Sequence, residues 1–279
     1  MRESFRSAKP KYRSKARVFF GKCYFTLRRY ITWGVHPAVK YSRRMLNIDL
    51  PFQTAHHQTP LYRQLKDVEM WLQENKVTNL KLAAARMDRV VVKPGETFSF
   101  WRLVGKPTER KGYKAGMVLS NGEFHPGIGG GLCQLSNLIY WMTLHTPLTV
   151  KERWRHTHDI FPDAHRTQPF GSGATVVYNY VDLQIRNDTQ DDYELRVWVG
   201  ESSLFGEWRC GHENFYSYEI YEIDHHITHE WWGGYMRHNR IDRRIYDAHQ
   251  DQVGQDEIVV ENHAVMMYEP LLSSDNDGQ

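Results

Sequence analysis

Cysteine is scarce in this chain: there are three among 279 residues, Cys23, Cys133 and Cys210. An odd number at wide spacings gives no disulfide framework, and the absence of Cys-x-x-Cys and His-Glu-x-x-His leaves no zinc-binding spacing. Long apolar runs are missing as well. The first, Val18-Phe19-Phe20, is broken by Lys22 and then by Arg28-Arg29. Nowhere do about 18 uncharged apolar residues follow one another, so neither a signal peptide nor a spanning helix is expected. Few cysteines and no export signal together predict a cytoplasmic protein, at most peripheral to the inner face of the membrane. There is no internal repeat, and the only low-complexity tract is the polar tail, 271–279.

Aromatic residues, by contrast, are abundant. They make up 13 % of the chain, with 9 Trp and 16 Tyr, and hydrophobic residues make up 41 %. That is the composition of a chain that buries a core. The net charge of +3 hides an asymmetry. Residues 1–44 hold 13 Lys/Arg and one acid, Glu3, a local +12, so the remainder is −9. Residues 1–50 therefore read as a basic, aromatic-rich arm on an acidic body. Such an arm is drawn to anionic lipid headgroups. Its aromatics fit either an amphipathic helix on a membrane or a segment packed on the body. Nucleic acid is not an expected partner.

The pattern along the chain predicts an α+β fold. The stretch 50–60, bracketed by Pro51 and Pro60, reads as a linker. Leu61, Leu65, Val68 and Leu72 form a helical stripe, and a second helix is expected to start at Thr78 or Asn79, carrying Leu80, Ala83, Ala84 and Met87. Pro94-Gly95 marks a turn into a brief strand. Residues 105–126 read as loops with short strands. Past Pro147 the period changes to two: Ala174, Val176, Tyr178 and Tyr180 alternate with their neighbours, as do Leu183 and Ile185, and Leu195, Val197 and Val199. Residues 216–223, 241–246 and 257–268 add further strands. Helices lead, a cysteine-bearing helix stands in the centre, and a mostly antiparallel sheet follows. The main domain is expected over 51–270, with its motifs in 94–187 and a β extension over 194–270.

The most informative stretch is Gly127-Ile128-Gly129-Gly130-Gly131-Leu132-Cys133-Gln134-Leu135-Ser136. Leu132, Leu135, Ile139 and Met142 recur at helical spacing, so a helix should run from Cys133 to about His145 before Pro147 stops it. Cys133 then sits in the first turn, behind a glycine loop that exposes amides. Partial positive charge at a helix start favours a thiolate or a bound anion. Three uses are open: a nucleophile, an anion cradle, or close packing around a buried thiol. A nucleophile needs a base, and His156 can return beside the helix start, with His158 as a rival. Gln134 and the Cys133 amide can donate to an oxyanion. Gly129, Gly130 and Gly131 with Arg153, Arg155 and Arg237 would suit a carboxylate or phosphate; Arg166 is a further cation. Ser136 and Ser172 are weaker nucleophiles, as Gly171-Ser172-Gly173 lacks the Gly-x-Ser-x-Gly spacing. His225-His226, His229 and His238 cluster late in the chain, but adjacent strand residues face apart, so neither a metal nor a cofactor is expected.

Several of these stretches occur together in one family. Pro94-Gly95-Glu96-Thr97-Phe98-Ser99-Phe100, Gly129-Gly130-Gly131-Leu132-Cys133-Gln134-Leu135-Ser136, Glu152-Arg153-Trp154-Arg155-His156, 168–176 and Gly233-Gly234-Tyr235-Met236-Arg237-His238-Asn239 resemble the VanW family, in order, over roughly 60–270. The resemblance implies an accessory role in the cell envelope or in glycopeptide resistance, with no established reaction. A peptidoglycan precursor or a similar anionic ligand would be the implied partner. The chemical alternative is a cysteine-dependent acyl transferase or amidase on a cell-wall peptide. Many relatives carry Asp immediately before the Ala-Thr-Val stretch, whereas this chain has Gly173. A third catalytic residue would have to come from Asp159, Asp163 or Asp182, or a backbone carbonyl would orient the histidine.

Overall fold

A long helix, α1 (Lys15–Val35), comes first in the computed structural model, which describes residues 14–35, 39–62, 69–120, 123–156, 158–159 and 168–270. Two-residue strands β1 (Lys40–Tyr41) and β2 (Arg43–Arg44) and the longer β3 (Phe52–Pro60) follow. Helix α2 (Met70–Met87) leads into β4 (Val90–Val92), β5 (Glu96–Ser99) and the short α3 (Phe100–Val104). A hairpin of β6 (Ala115–Ser120) and β7 (Glu123–Ile128) precedes α4 (Cys133–Leu144). The remaining elements are strands: β8 (Thr149–Glu152), β9 (His158–Asp159), β10 (Gln184–Arg186), β11 (Tyr193–Val199), β12 (Ser203–Cys210), β13 (Ser217–His229), β14 (Tyr235–Tyr246) and β15 (Glu257–Met266). Residues 1–13, Leu65, Val68, Asp163, Arg166 and the tail 271–279 lie outside the described residues.

The fold is α+β, with its strands in four sheets. One has the order β1-β5-β10-β8, the second β2-β4-β11-β12-β3, the third β13-β14-β15-β9, and β6-β7 stands as a hairpin. Among the described residues, β1 on β5 and β9 on β15 are parallel, and every other pairing of named strands is antiparallel.

The second sheet carries the main core. Its central strand β11 buries Tyr193, Leu195 and Val197, and β12 buries Leu204, Trp208 and Cys210. Helix α4 lies on this sheet with Leu135, Leu138, Ile139 and Met142 buried, and the Trp208 indole N–H donates to Thr143 Oγ1 at 3.1 Å. Helix α2 buries Gln73, Lys76, Leu80, Ala83 and Met87, spaced three and four apart, against β11 and β6. Burying these apolar side chains, worth roughly 1.5–3 kcal/mol for each large one, fixes the two helices on the sheet.

Three expectations are corrected here. Residues 52–60 are no linker: they form β3, paired along β12 from Phe52 opposite Cys210 to Pro60 opposite Ser203. As the edge strand it tolerates proline at its end, where no ladder donor is missed. No second helix starts at Thr78 or Asn79, because α2 runs through both, and Asn79 is fully buried with its side chain turned to the neighbouring loop. Residues 174–180 are not a ladder strand. They run extended and then turn tightly, closed by the Val177–Val181 bridge. The polar groups here find side-chain and loop partners instead: Ala174 N–H donates to Asn137 Oδ1, Ser136 Oγ donates to Ala174 O, and Thr175 N–H donates to Trp154 O.

Candidate functional site

The glycine loop reaches α4 through a close approach of two backbones. A Cβ on Gly130 would overlap Gly116 of β6, and a Cβ on Gly131 would overlap the Lys76 side chain. Gly131 also holds φ +90, a conformation glycine takes without the Cβ penalty. From the other side, Asn79 Nδ2 donates to Gly130 O at 2.9 Å and to Lys114 O at 3.0 Å, while Lys114 N–H donates to Asn79 Oδ1 at 2.8 Å. The loop is therefore clamped between α2, the hairpin and the start of α4.

A cavity of about 380 Å³ opens beside it. Its wall includes Gly129–Gly131, Cys133, Asn137, Arg155, His156, Asp159, Phe170, Gly171, Gly173, Val176 and Trp101. Separated parts of the chain thus converge: the glycine loop with α4, Arg155 and His156 with His158 and Asp159, the 170–177 stretch, and Lys76, Trp101 and β6. The expected neighbours Cys133 and His156 share one cavity, and His158 lines it too.

The protonation states follow from burial. Burial pushes the Cys133 thiol up, against smaller opposing contributions from the backbone at Val176 and at Cys133 itself. Its Sγ–H donates to Val176 O at 3.7 Å. Desolvation holds the His156 imidazole below its ordinary value, and neighbouring His158 lowers it further. Desolvation thus disfavours the charged form of each group, the thiolate and the imidazolium.

Arg155 is a cation of the cavity wall, which Lys76 also lines. Desolvation lowers Arg155 to about 10, with Arg153 adding to the effect. It donates to two carbonyls, His156 O at 3.4 Å and His263 O at 2.7 Å, and among the described residues no carboxylate pairs with it. The cavity's acid, Asp159, is already engaged by Arg237 Nη1 at 3.4 Å and by the Tyr268 hydroxyl at 2.9 Å.

The other predicted site residues serve the walls. Arg153 donates to Gly173 O at 2.8 Å and to Gly171 O, and lies over the Tyr140 ring. Arg237 is buried behind the cavity, stacked on Phe170 and hydrogen-bonded to His225. The Gln134 side chain points to the end of β3, donating to Thr59 Oγ1 and Pro60 O at 2.9 Å. Ser136 and Ser172 are spent on the carbonyls of Ala174 and Pro169. Asp182 lies with Ser99 and the Trp101 amide, away from His156 in its bonding. Among the described residues no group of three His, Cys, Asp or Glu could hold a metal ion. His225 and His226 do face apart: His225 accepts from Arg237, and His226 stacks on His238. Asn79 and Asn137, which shape the loop and the 170–177 wall, were not legible as site residues. Each is polar on a helix, and only its partner reveals its use.

Residues 75–209 match the profile of the VanW family, described as "VanW like protein". Over these residues, just under half of the chain, it resembles the VanW family. It is 39 % identical over 167 residues to the vancomycin B-type resistance protein VanW of Enterococcus faecalis, a match that covers 60 % of this chain and 61 % of that protein. It is 36 % identical over 119 residues to the uncharacterized protein YoaR of Bacillus subtilis, covering 43 % of this chain and 38 % of that protein. The matches thus span about three fifths of the first relative and less than two fifths of the second. No solved structure matches this chain. The VanW-like region contains the glycine loop, Cys133, Arg155 and His156, so the cavity belongs mainly to it. Phe170's partner Arg237 and the His263 carbonyl that holds Arg155 lie beyond its end, in the β13–β15 sheet. Among the described residues no helix is long and apolar enough to cross a membrane.

Proposed function

We propose that this chain is a VanW-like accessory protein of the cell envelope, acting in the cytoplasm or at the inner membrane face in glycopeptide resistance, and that its cavity binds an anionic cell-wall peptide or precursor. The observation that carries the reading is Arg155: a half-buried guanidinium in a cavity wall, held by two carbonyls and paired with no carboxylate among the described residues. Desolvating a cation is costly unless an anion compensates it. A ligand carboxylate would supply that compensation through the guanidinium's remaining N–H groups, with the apolar walls Phe170, Val176 and Trp101 receiving the ligand's body.

The test is calorimetric titration of the full chain with a short cell-wall stem peptide ending in a free carboxylate, and with the same peptide amidated. The carboxylate form should bind, and both amidation and Arg155→Gln should weaken it by about tenfold to a hundredfold, the worth of one charge-assisted pair. Equal binding of acid and amide, or no binding of either, refutes the ligand. Deletion of the gene without change in the host's glycopeptide sensitivity refutes the biological role.

A second reading rests on a different observation, that Cys133 and His156 line one cavity. Here Cys133 attacks an amide carbonyl carbon of the same peptide, His156 takes the thiol proton and returns it to the departing amine as the C–N bond breaks, and water then hydrolyses the thioester to the acid and the free thiol. Turnover of the peptide that survives Cys133→Ala excludes it.

A further inference from the structure

Helix α1 has two faces, and only one of them is used. Toward the body, Thr26, Arg29 and Trp33 form a stripe. Arg29 Nη2 pairs with Glu152 at 2.5 Å and donates to Tyr180 O at 2.9 Å. Asn179 Nδ2 donates to Thr26 O at 3.4 Å, and Arg102 Nη1 donates to Trp33 O at 3.2 Å. From the flank, Tyr30 shares a hydroxyl hydrogen bond with Tyr178 at 2.5 Å.

On the opposite side, Phe20, Tyr24, Leu27 and Ile31 recur at spacings of four, three and four, one continuous apolar stripe. Their exposures are 69 %, 61 %, 61 % and 52 %. Arg29 follows Leu27 by two residues, about 200° around the helix, so the two stripes lie back to back. A helix that leaves its more aromatic face in water is built for a second surface.

The charges say which surface. Helix α1 contains five bases, Lys15, Arg17, Lys22, Arg28 and Arg29, and no acid. Among the described residues Arg29 alone of these has a carboxylate partner. Arg17 and Arg28 flank the apolar stripe, and Lys22 lies farther round. The sequence ahead of the helix adds five more bases and one acid over 1–14. An exposed aromatic and aliphatic stripe flanked by unpaired cations matches the interfacial zone of an anionic bilayer, where the apolar side chains enter the acyl boundary and the bases meet headgroup phosphates.

We infer that α1 is a two-faced anchor, docking its Phe20-Tyr24-Leu27-Ile31 stripe on an anionic lipid membrane while Arg29, Tyr30 and Trp33 hold the body to it. Tyr178, bonded to Tyr30, also packs edge-on against Trp101, a wall of the cavity, with ring centroids 5.4 Å apart. The anchor and the cavity therefore share a wall. The inference does not depend on what the cavity binds.

Co-sedimentation of the full chain with phosphatidylcholine vesicles, with and without phosphatidylglycerol, tests this. The wild type should bind the vesicles containing phosphatidylglycerol, bind phosphatidylcholine alone far less, and be released by salt. The double variant Phe20→Ser/Leu27→Ser should bind about tenfold or more weakly with an unchanged melting temperature, since those side chains lie in water in the free protein. Should that variant fail to fold, Arg17→Glu/Arg28→Glu, whose side chains hold no body residue, makes the same comparison. Binding untouched by the Ser substitutions would mean that the upstream bases act alone, and overturns the anchor. So does equal binding to both vesicles. A wild-type dimer in sedimentation equilibrium that the Ser variant dissociates would assign the stripe to a second copy, and overturns it too.

Discussion

Asn79 and Gly130 are joined across 51 positions of sequence by a buried hydrogen bond, Asn79 Nδ2 to Gly130 O at 2.9 Å. The same side chain also takes both backbone groups of Lys114. One residue of α2 thus fixes the loop ahead of Cys133 and the start of the β6–β7 hairpin. Asn79→Ala would strand Gly130 O and the Lys114 N–H in the interior, while Lys114 O keeps its bond from Gly129 N–H at 3.0 Å. A loss of about 2–3 kcal/mol is expected in urea denaturation, since unsatisfied buried groups cost that much. A change below about 0.5 kcal/mol would mean that water replaces the amide without penalty.

Gly130 itself admits no side chain. Its Cβ would overlap the Gly116 carbonyl carbon and oxygen, which are backbone and have nowhere to rotate. Gly130→Ala should therefore cost about 3 kcal/mol or more, beyond ordinary overpacking. Gly211→Ala, whose Cβ would meet nothing within 4 Å, is the control and should be near neutral. Similar melting temperatures for the two variants would show that the loop has room to move away from β6.

Cys133 should alkylate slowly in the folded protein at neutral pH. Its thiol is raised by burial and donates to Val176 O. The rate should climb only above the ordinary thiol range near 8.5, and His156→Ala should leave the profile unchanged. Site-resolved mass spectrometry of the alkylated peptide measures this. A low inflection abolished by His156→Ala would instead reveal a thiolate–imidazolium pair, and with it the nucleophilic reading.

Asp182 gives the fold a pH dependence of unusual sign. Burial pushes its carboxyl up to about 6, although bonds from Ser99 and the Trp101 amide favour the ionised form. A carboxyl that binds its proton more tightly folded than unfolded makes protonation stabilising. Its contribution is most favourable below about pH 4, falls as pH rises to about 6, and is constant above, a change on the order of 3 kcal/mol. Measured against Asp182→Asn, the wild type should lose stability across that window. Parallel stability curves for the two proteins would refute it.

Sequence alone determined those parts in which side-chain period reports a buried face. Helix α4 runs where Leu135, Ile139 and Met142 predict it, and the alternation in 195–199, 216–223, 241–246 and 257–268 lies within β11, β13, β14 and β15 or within two residues of their ends. The charge asymmetry of the first 44 residues needed no structure either. Tertiary structure decided everything that depends on a partner. Residues 52–60, rich in His, Gln and Thr, became a strand because the edge of β12 offered a ladder. Residues 174–180 have strand alternation but meet helix α4 and a loop, so their polar groups bond there and only Val177 and Val181 form a bridge. Three arginines looked equivalent in sequence. The fold buried Arg237 against Asp159, spent Arg153 on Gly171 and Gly173, and left Arg155 to face the cavity. Periodicity records which face of an element is apolar; which charge stays unpaired is settled only when distant segments meet.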